Sequence, residues 1–304
     1  MKTKRLNHYR RNYHLLVFLI PALVLVFIFS YIPMYGILIA FQNYVPGDPI
    51  LSFKADWVGI LHFRSFLNDF RFEQLMINTF LLSFFGFLIG FPLPIIIALL
   101  LNSMRSSKAS KRLQTIFYAP HFISVIVLVG MLHLLFGEYG FINHLAITLG
   151  GEKYSYFLEA NAFRSLFILS GNWQDFGWSA IIYLAALSGV DPTLHEAAVV
   201  DGASRFQRII HIDLPAIFPT ISILLILSIG NLMGVGYEKV LLMQTGGNIS
   251  VSEVISTYVY KTGLTGFPDF SYATAIGVFN SLINVILLIF ANTMAKRFSE
   301  NSLW

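Results

Sequence analysis

Glu196-Ala197-Ala198-Val199-Val200-Asp201-Gly202-Ala203-Ser204-Arg205-Phe206-Gln207-Arg208-Ile209-Ile210-His211-Ile212-Asp213-Leu214-Pro215 is a polar stretch set between two long apolar segments of a 304-residue chain. Just before it, Asp191-Pro192 is a helix-start signal, because an aspartate accepts from an orphan amide and proline suits the first helical position. A helix is expected over 193–200, with Ala197 and Ala198 small enough for another surface to approach closely. Gly202 supplies a bend. A second helix begins around 203–204 and carries Phe206, Ile209 and Ile210 at helical spacing. Leu214-Pro215 is expected to stop it and restart the chain as an apolar segment. The predicted product is a rigid knob of two short helices joined at a glycine.

Composition sets the solvent. Apolar residues make up 56% of the chain and charged residues 12%, about half the roughly 25% of a soluble domain. Phenylalanine alone supplies 29 residues. A soluble core of this length has no room for so much apolar surface, so a bilayer must act as solvent. The absence of cysteine removes disulfides and thiol chemistry. About 20 mainly apolar residues cross the hydrocarbon layer, and six stretches qualify: 15–41, 76–101, 113–136, 163–187, 216–236 and 273–295. The first follows Lys2, Lys4, Arg5, Arg10 and Arg11. Its apolar run is too long for a signal peptide and no small-residue cleavage site closes it, so it reads as a retained span. Pro21, Pro33, Pro92, Pro94 and Pro120 read as packing kinks in these spans. The connecting segments 42–75, 137–162 and 237–273 are too short for folded domains; a helix is expected near 251–262, after Gly246-Gly247.

Basic residues orient the chain. With the N-terminus inside, the inner segments hold the five N-terminal cations, then Arg105, Lys108, Lys111, Arg112, Arg205, Arg208, Lys296 and Arg297. The outer segments hold Lys54, Arg64, Arg71, Lys153, Arg164, Lys239 and Lys261. Thirteen of the 20 cations therefore favour cytoplasmic termini. The same orientation puts the polar loop 188–215 in the cytoplasm. Net charge, +4, is thus a statement about membrane orientation and gives no reason to expect nucleic acid.

The spacing Glu-Ala-Ala, three residues, Gly, nine residues, Ile-x-Leu-Pro is met at Glu196, Ala197, Ala198, Gly202, Ile212, Leu214 and Pro215. It resembles the EAA loop of ABC importer permeases, which docks on a separate ATPase. The resemblance implies an all-α, six-span type I importer permease fold in one transmembrane domain over 1–304, in a bacterial cytoplasmic membrane. It assigns docking to Glu196, Ala197, Ala198, Asp201, Gly202 and Ala203. The finer features Gly236-Tyr237-Glu238, the run 253–260, Tyr272-Ala273-Thr274-Ala275-Ile276-Gly277 and the ending Glu300-Asn301-Ser302-Leu303-Trp304 resemble the MalF/LplB-type carbohydrate subgroup. Its implied partners are a second, related permease, a pair of ATPases carrying ATP and Mg, an extracytoplasmic solute-binding protein, membrane lipid and an oligo- or polysaccharide fragment. No cofactor is expected on this chain itself.

A carboxylate in the middle of a span costs about 2.5–3.5 kcal/mol to insert. Asp175 must therefore face protein or water, along a substrate path or in a packing network, unless the span starts later and leaves it near the outer interface, where tryptophans are common. Asn172, Gln174, Trp173 and Trp178 beside it are the mixture of amides and flat rings that grips sugars. Asn231 in the fifth span with Tyr237 just after it, and Asn280 and Asn284 one turn apart in the sixth, are further lining candidates. Enzyme motifs are missing: no Gly-x-x-x-x-Gly-Lys phosphate loop, Val199 where a zinc-protease helix needs a second histidine after His195-Glu196, and no Gly-x-Ser-x-Gly elbow. The alternatives are an ABC permease for amino acids, peptides or phosphate, and an ion-coupled transporter using Asp175.

Overall fold

A computed structural model describes residues 13–52, 55–298 and 302–303. The N-terminal basic cluster, Lys54, 299–301 and Trp304 lie outside the described residues. Helix α1 (Tyr13–Val26) continues through a π-helical turn (Phe27–Tyr31) and a 3₁₀ segment (Ile32–Phe41). There follow α2 (Leu61–Leu67), α3 (Phe72–Gly90), α4 (Pro92–Asn102), α5 (Ser107–Tyr118), a 3₁₀ turn (Ala119–Phe122), α6 (Val125–Phe136), α7 (Phe141–Thr148) and α8 (Ala160–Leu187). The remainder comprises α9 (Pro192–Val200), α10 (Arg205–Arg208), a π segment (Ile209–Asp213), α11 (Leu214–Gly230), α12 (Tyr237–Met243), α13 (Ile249–Ser252), α14 (Ile255–Leu264) and α15 (Phe270–Phe298). Among the described residues the only β pairing is the single bridge Gln42–Trp57.

Among the described residues, five stretches are long and apolar enough to cross a membrane: Val17–Phe41, Phe72–Asn102, Val125–Thr148, Arg205–Gly230 and Phe270–Arg297. The 28-residue α8 is longer than most, reaching about 42 Å at 1.5 Å per residue, but is less apolar. Packing explains this: α8 lies against α3, α4, α5 and α11. Its buried face holds Ser170, Gln174 and Gly177 beside Phe163, Ala180 and Tyr183. A helix wrapped by other helices does not have to be apolar on its protein-facing side, and small residues there permit close approach. The first span is the opposite case. Phe18, Phe27 and Phe29 are widely exposed, as suits a face covered by lipid, and only its 3₁₀ end packs on α15.

Several expected boundaries move, each for a local reason. The stretch 113–136 is not one helix: Pro120 ends α5 in a 3₁₀ turn, Ile123 is extended, and Ser124 caps α6 by accepting from Val127 N at 3.4 Å. The stretch 76–101 divides at Phe91, ahead of Pro92 and Pro94. Helix α11 ends at Gly230, so 231–236 is not helical as the expected span 216–236 required. The expected helix near 251–262 breaks at Glu253 and Val254. Leu214-Pro215 does not stop the second knob helix. The chain passes from α10 through the π segment into α11 without interruption, and the wider π turn accommodates a proline with no amide to donate.

Three apolar clusters organise the bundle. Leu82, Val129, Leu132, Phe163, Val240 and Met243 join α3, α6, α8 and α12. Phe66, Leu75, Tyr258 and Ile276 join α2, α3, α14 and α15. Ala98, Ala180, Tyr183, Leu187 and Ile217 join α4, α8 and α11 next to the polar loop.

Candidate functional site

The polar loop forms the predicted knob. Asp191 caps α9, its Oδ1 accepting from Thr193 N at 2.9 Å, and Pro192 occupies the first turn. This accepted bond holds the exposed Asp191 carboxyl below the usual aspartate range. No residue of α9 is buried, so its alanines and Glu196 stand free. Gly202 has φ +80°. Gly202 N donates to Val199 O at 3.1 Å and Ala203 N to Ala198 O at 2.8 Å, the two bonds of a Schellman cap. A side chain at 202 would meet nothing within 4 Å, so backbone conformation is what demands glycine. Ser204 then opens α10 in a capping box, accepting from Gln207 N at 3.3 Å while Gln207 Oε1 accepts from Ser204 N at 2.7 Å.

The knob is tied to the bundle at one buried carboxylate. Asp213 is 2% exposed; its Oδ1 lies 3.2 Å from His195 Nε2 and accepts from Asn102 Nδ2 at 3.2 Å. One oxygen thus joins α9, the end of α4 and the turn that leads into α11. Beside it opens a cavity of about 520 Å³ that Arg105, Arg205, Arg208, His195 and Glu196 help to line. Leu194, Val199, Val200 and Phe206 leave apolar surface exposed on the knob. All six docking candidates, Glu196, Ala197, Ala198, Asp201, Gly202 and Ala203, lie exposed or half-buried on it.

A second cavity, about 660 Å³, opens between α3, α4, α8 and α11. Ser83, Phe87, Phe91, Phe167, Tyr183 and Asn231 help to line it, and no lining residue is charged. The path candidates distribute unevenly around it. Asn231 is on the wall. Asp175 pairs with His121 at 2.9 Å, and the His121 ring stacks on Trp178 with centroids 4.6 Å apart. Asp175 remains largely exposed, with 59% of its side chain accessible, so it is not buried in a packing network. Asn172 keeps a buried Nδ2 with no hydrogen-bond partner, and Trp173 is exposed. Tyr237 stacks on Tyr260 at 5.0 Å. Asn280 and Asn284 do not line the cavity: Asn280 Nδ2 donates to Met233 O at 3.3 Å and Asn284 Oδ1 accepts from Met233 N at 3.0 Å. They clamp the non-helical 231–236 segment whose Asn231 does line it.

Sequence reasoning missed three contributors. His121 was not among the site candidates. Lys239 and Arg71 entered only the count of outer cations, and Asp69 and Tyr258 were not singled out. Asp69 Oδ2 accepts from Tyr258 Oη at 2.8 Å and from Tyr272 Oη at 3.1 Å, and Arg71 Nη2 donates to Tyr258 Oη at 2.6 Å. The charges at 69 and 71 and the tyrosine-rich run 253–260 were visible, but Asp69 and Tyr258 lie 189 positions apart.

A helical bundle with five membrane-length apolar stretches among the described residues defines a polytopic membrane protein. Residues 90–300 match the family model described as binding-protein-dependent transport system inner membrane component, and the chain belongs to that family. It is 42% identical to Protein LplB of Bacillus subtilis (strain 168) over 297 residues, 97% of this chain and 92% of that one. It is also 42% identical to the polygalacturonan/rhamnogalacturonan transport system permease protein YteP of the same strain over 292 residues, 96% and 90% of the two chains. Among solved structures, a chain of a bacterial alginate ABC transporter in complex with alginate pentasaccharide-bound periplasmic protein superposes with TM-score 0.85 and 34% identity, covering 98% of this chain and 99% of that one. The protein is therefore a bacterial ABC permease subunit with the fold of that transporter.

Proposed function

We propose that this chain forms part of the translocation path of an importer for oligosaccharides or polysaccharide fragments, with α9 and its glycine cap docking on a partner ATPase. The carrying observation is the exposed α9–α10 knob anchored through Asp213 to two bundle helices. ATP and Mg belong to the ATPase pair, and a second, related permease completes the path. An extracytoplasmic binding protein delivers the glycan, in keeping with the sugar polymers named for the similar permease and transporter. Helix α8 serves as a sixth span, shielded by its neighbours, and both termini face the cytoplasm. ATP-driven closure of the ATPase pair shifts a two-state bundle between inward- and outward-facing forms.

The decisive experiment reconstitutes the complete transporter in vesicles with loaded binding protein and measures labelled oligosaccharide uptake with and without ATP. ATP-dependent uptake lost on deletion of 192–204 is expected. Uptake by this chain alone under an ion gradient would replace the reading with an ion-coupled carrier. Because the chain has no cysteine, single cysteines at 150 and 201 report topology directly; labelling of both from the same side would refute the proposed orientation.

A further inference from the structure

The 660 Å³ cavity has a neutral wall, but a cation stands at its edge. Lys239, half-buried on α12, donates from Nζ to Phe167 O at 2.8 Å and lies 4.7 Å above the Phe167 ring. Phe167 is itself a cavity-lining residue. Helix α8 is notched opposite the ammonium: a Cβ at Gly171 would come within 3.0 Å of Nζ. Lys239 forms no ion pair within 4.0 Å among the described residues. Asp175 is close enough to favour its charge, but Asp175 is already engaged by His121 at 2.9 Å.

Removing an ammonium from water is costly unless a countercharge compensates it. Here a carbonyl and an aromatic face give partial compensation, and the missing side chain at Gly171 leaves room for the ammonium beside α8. Burial pushes the Lys239 ammonium down to about 8, which leaves it mostly protonated at neutral pH. A neutral, hydroxyl-rich chain offers this ammonium acceptors but no countercharge. A carboxylate offers both, and the bond between two ionised groups is the stronger.

We propose that Lys239 is a specificity-determining residue that meets the carboxylate of a uronate-containing oligosaccharide as it enters the cavity between α3, α8 and α11. This rests on the importer reading above and names the charge class of its cargo.

The test uses the complete transporter in vesicles and two glycans of one length, an oligogalacturonate and its carboxyl-reduced form, each supplied at a concentration that saturates the binding protein. Glycan imported per ATP hydrolysed is measured for wild type, Lys239→Gln and Lys239→Arg. Lys239→Gln should lower this yield about tenfold for the uronate and leave the reduced glycan within about twofold, while Lys239→Arg stays near wild type on both. Should the glutamine variant fail to assemble, Lys239→Met keeps the stem on Phe167 and removes only the charge. Equal losses on both glycans, or none on either, overturn the assignment. So does a wild type that imports the reduced glycan alone. A wild type that imports neither refutes the importer reading instead.

Discussion

Gly202 offers a graded test of how the knob works. Its φ of +80° places it in the left-handed region, where an L-residue pays roughly 1–2 kcal/mol and a β-branched one more because its χ1 is restricted. Asparagine tolerates that region best after glycine. Since nothing lies within 4 Å of a Cβ at 202, the cost falls on the backbone and not on packing. An L-residue that escapes the strain must break the bonds from Gly202 N and Ala203 N to Val199 O and Ala198 O, unwinding the last turn of α9. A penalty of 1–2 kcal/mol lowers the capped population by a factor of about 5–30. The apparent affinity of the ATPase for the detergent-solubilised permease, measured by titration, should therefore fall in the order Gly, Asn, Ala, Val. If a clash with the partner were the reason for glycine, the order would follow side-chain volume and asparagine would bind more weakly than alanine. That order would refute the conformational account.

Asp213→Ala removes the acceptor shared by His195 and Asn102 and should cost about 1–3 kcal/mol. Transport should uncouple from ATP hydrolysis in the reconstituted complex, and unchanged glycan-to-ATP stoichiometry would show that the tie is dispensable. Asn284→Leu frees the Met233 amide and should raise hydrogen exchange in 231–236; unchanged protection there would mean Asn280 suffices. Asp69 gives a pH signature. Burial raises its pKa, but bonds from the Arg71 amide and guanidinium and from the Tyr258 and Tyr272 hydroxyls outweigh that and hold it at about 2, against an ordinary 3.8. A depressed carboxyl adds stability that is complete above pH 3.8 and lost as pH falls toward about 2. The thermal stability gap between wild type and Asp69→Asn should close across that window, and a gap constant with pH would contradict the assignment.

The knob was legible in sequence because its signals are local: a cap at Asp191, a glycine whose φ no other residue adopts as easily, and a second cap at Ser204. Membrane immersion was legible from composition. The run across Leu214-Pro215 was misread, since proline marks a stop only if the turn stays α-helical, and a π turn removes the need for its amide. The lining asparagines were half-read for another reason. Spacing puts Asn280 and Asn284 on one face of α15, but it does not say that the neighbour on that face is the Met233 backbone. His121 and Lys239 were missed because their partners, Asp175 and Phe167, lie 54 and 72 positions away.

The same geometry links the proposed docking element at one end to the cavity within the bundle. Tyr183 lines the cavity and packs in one buried cluster with Leu187, Ala98 and Ile217, against which Ile209 and Leu214 also rest. Leu187 ends α8, and Pro192 begins α9 after four intervening residues. Close-packed interiors transmit displacement because they lack free volume to absorb it. A push on α9 therefore has two short routes to the cavity wall, one through the end of α8 and one through Asp213 into α11. If either alone sufficed, loosening the other would leave transport intact. Cutting the Asp213 tie while α8 remains continuous separates the two routes, and coupling that survives the cut would assign the work to α8.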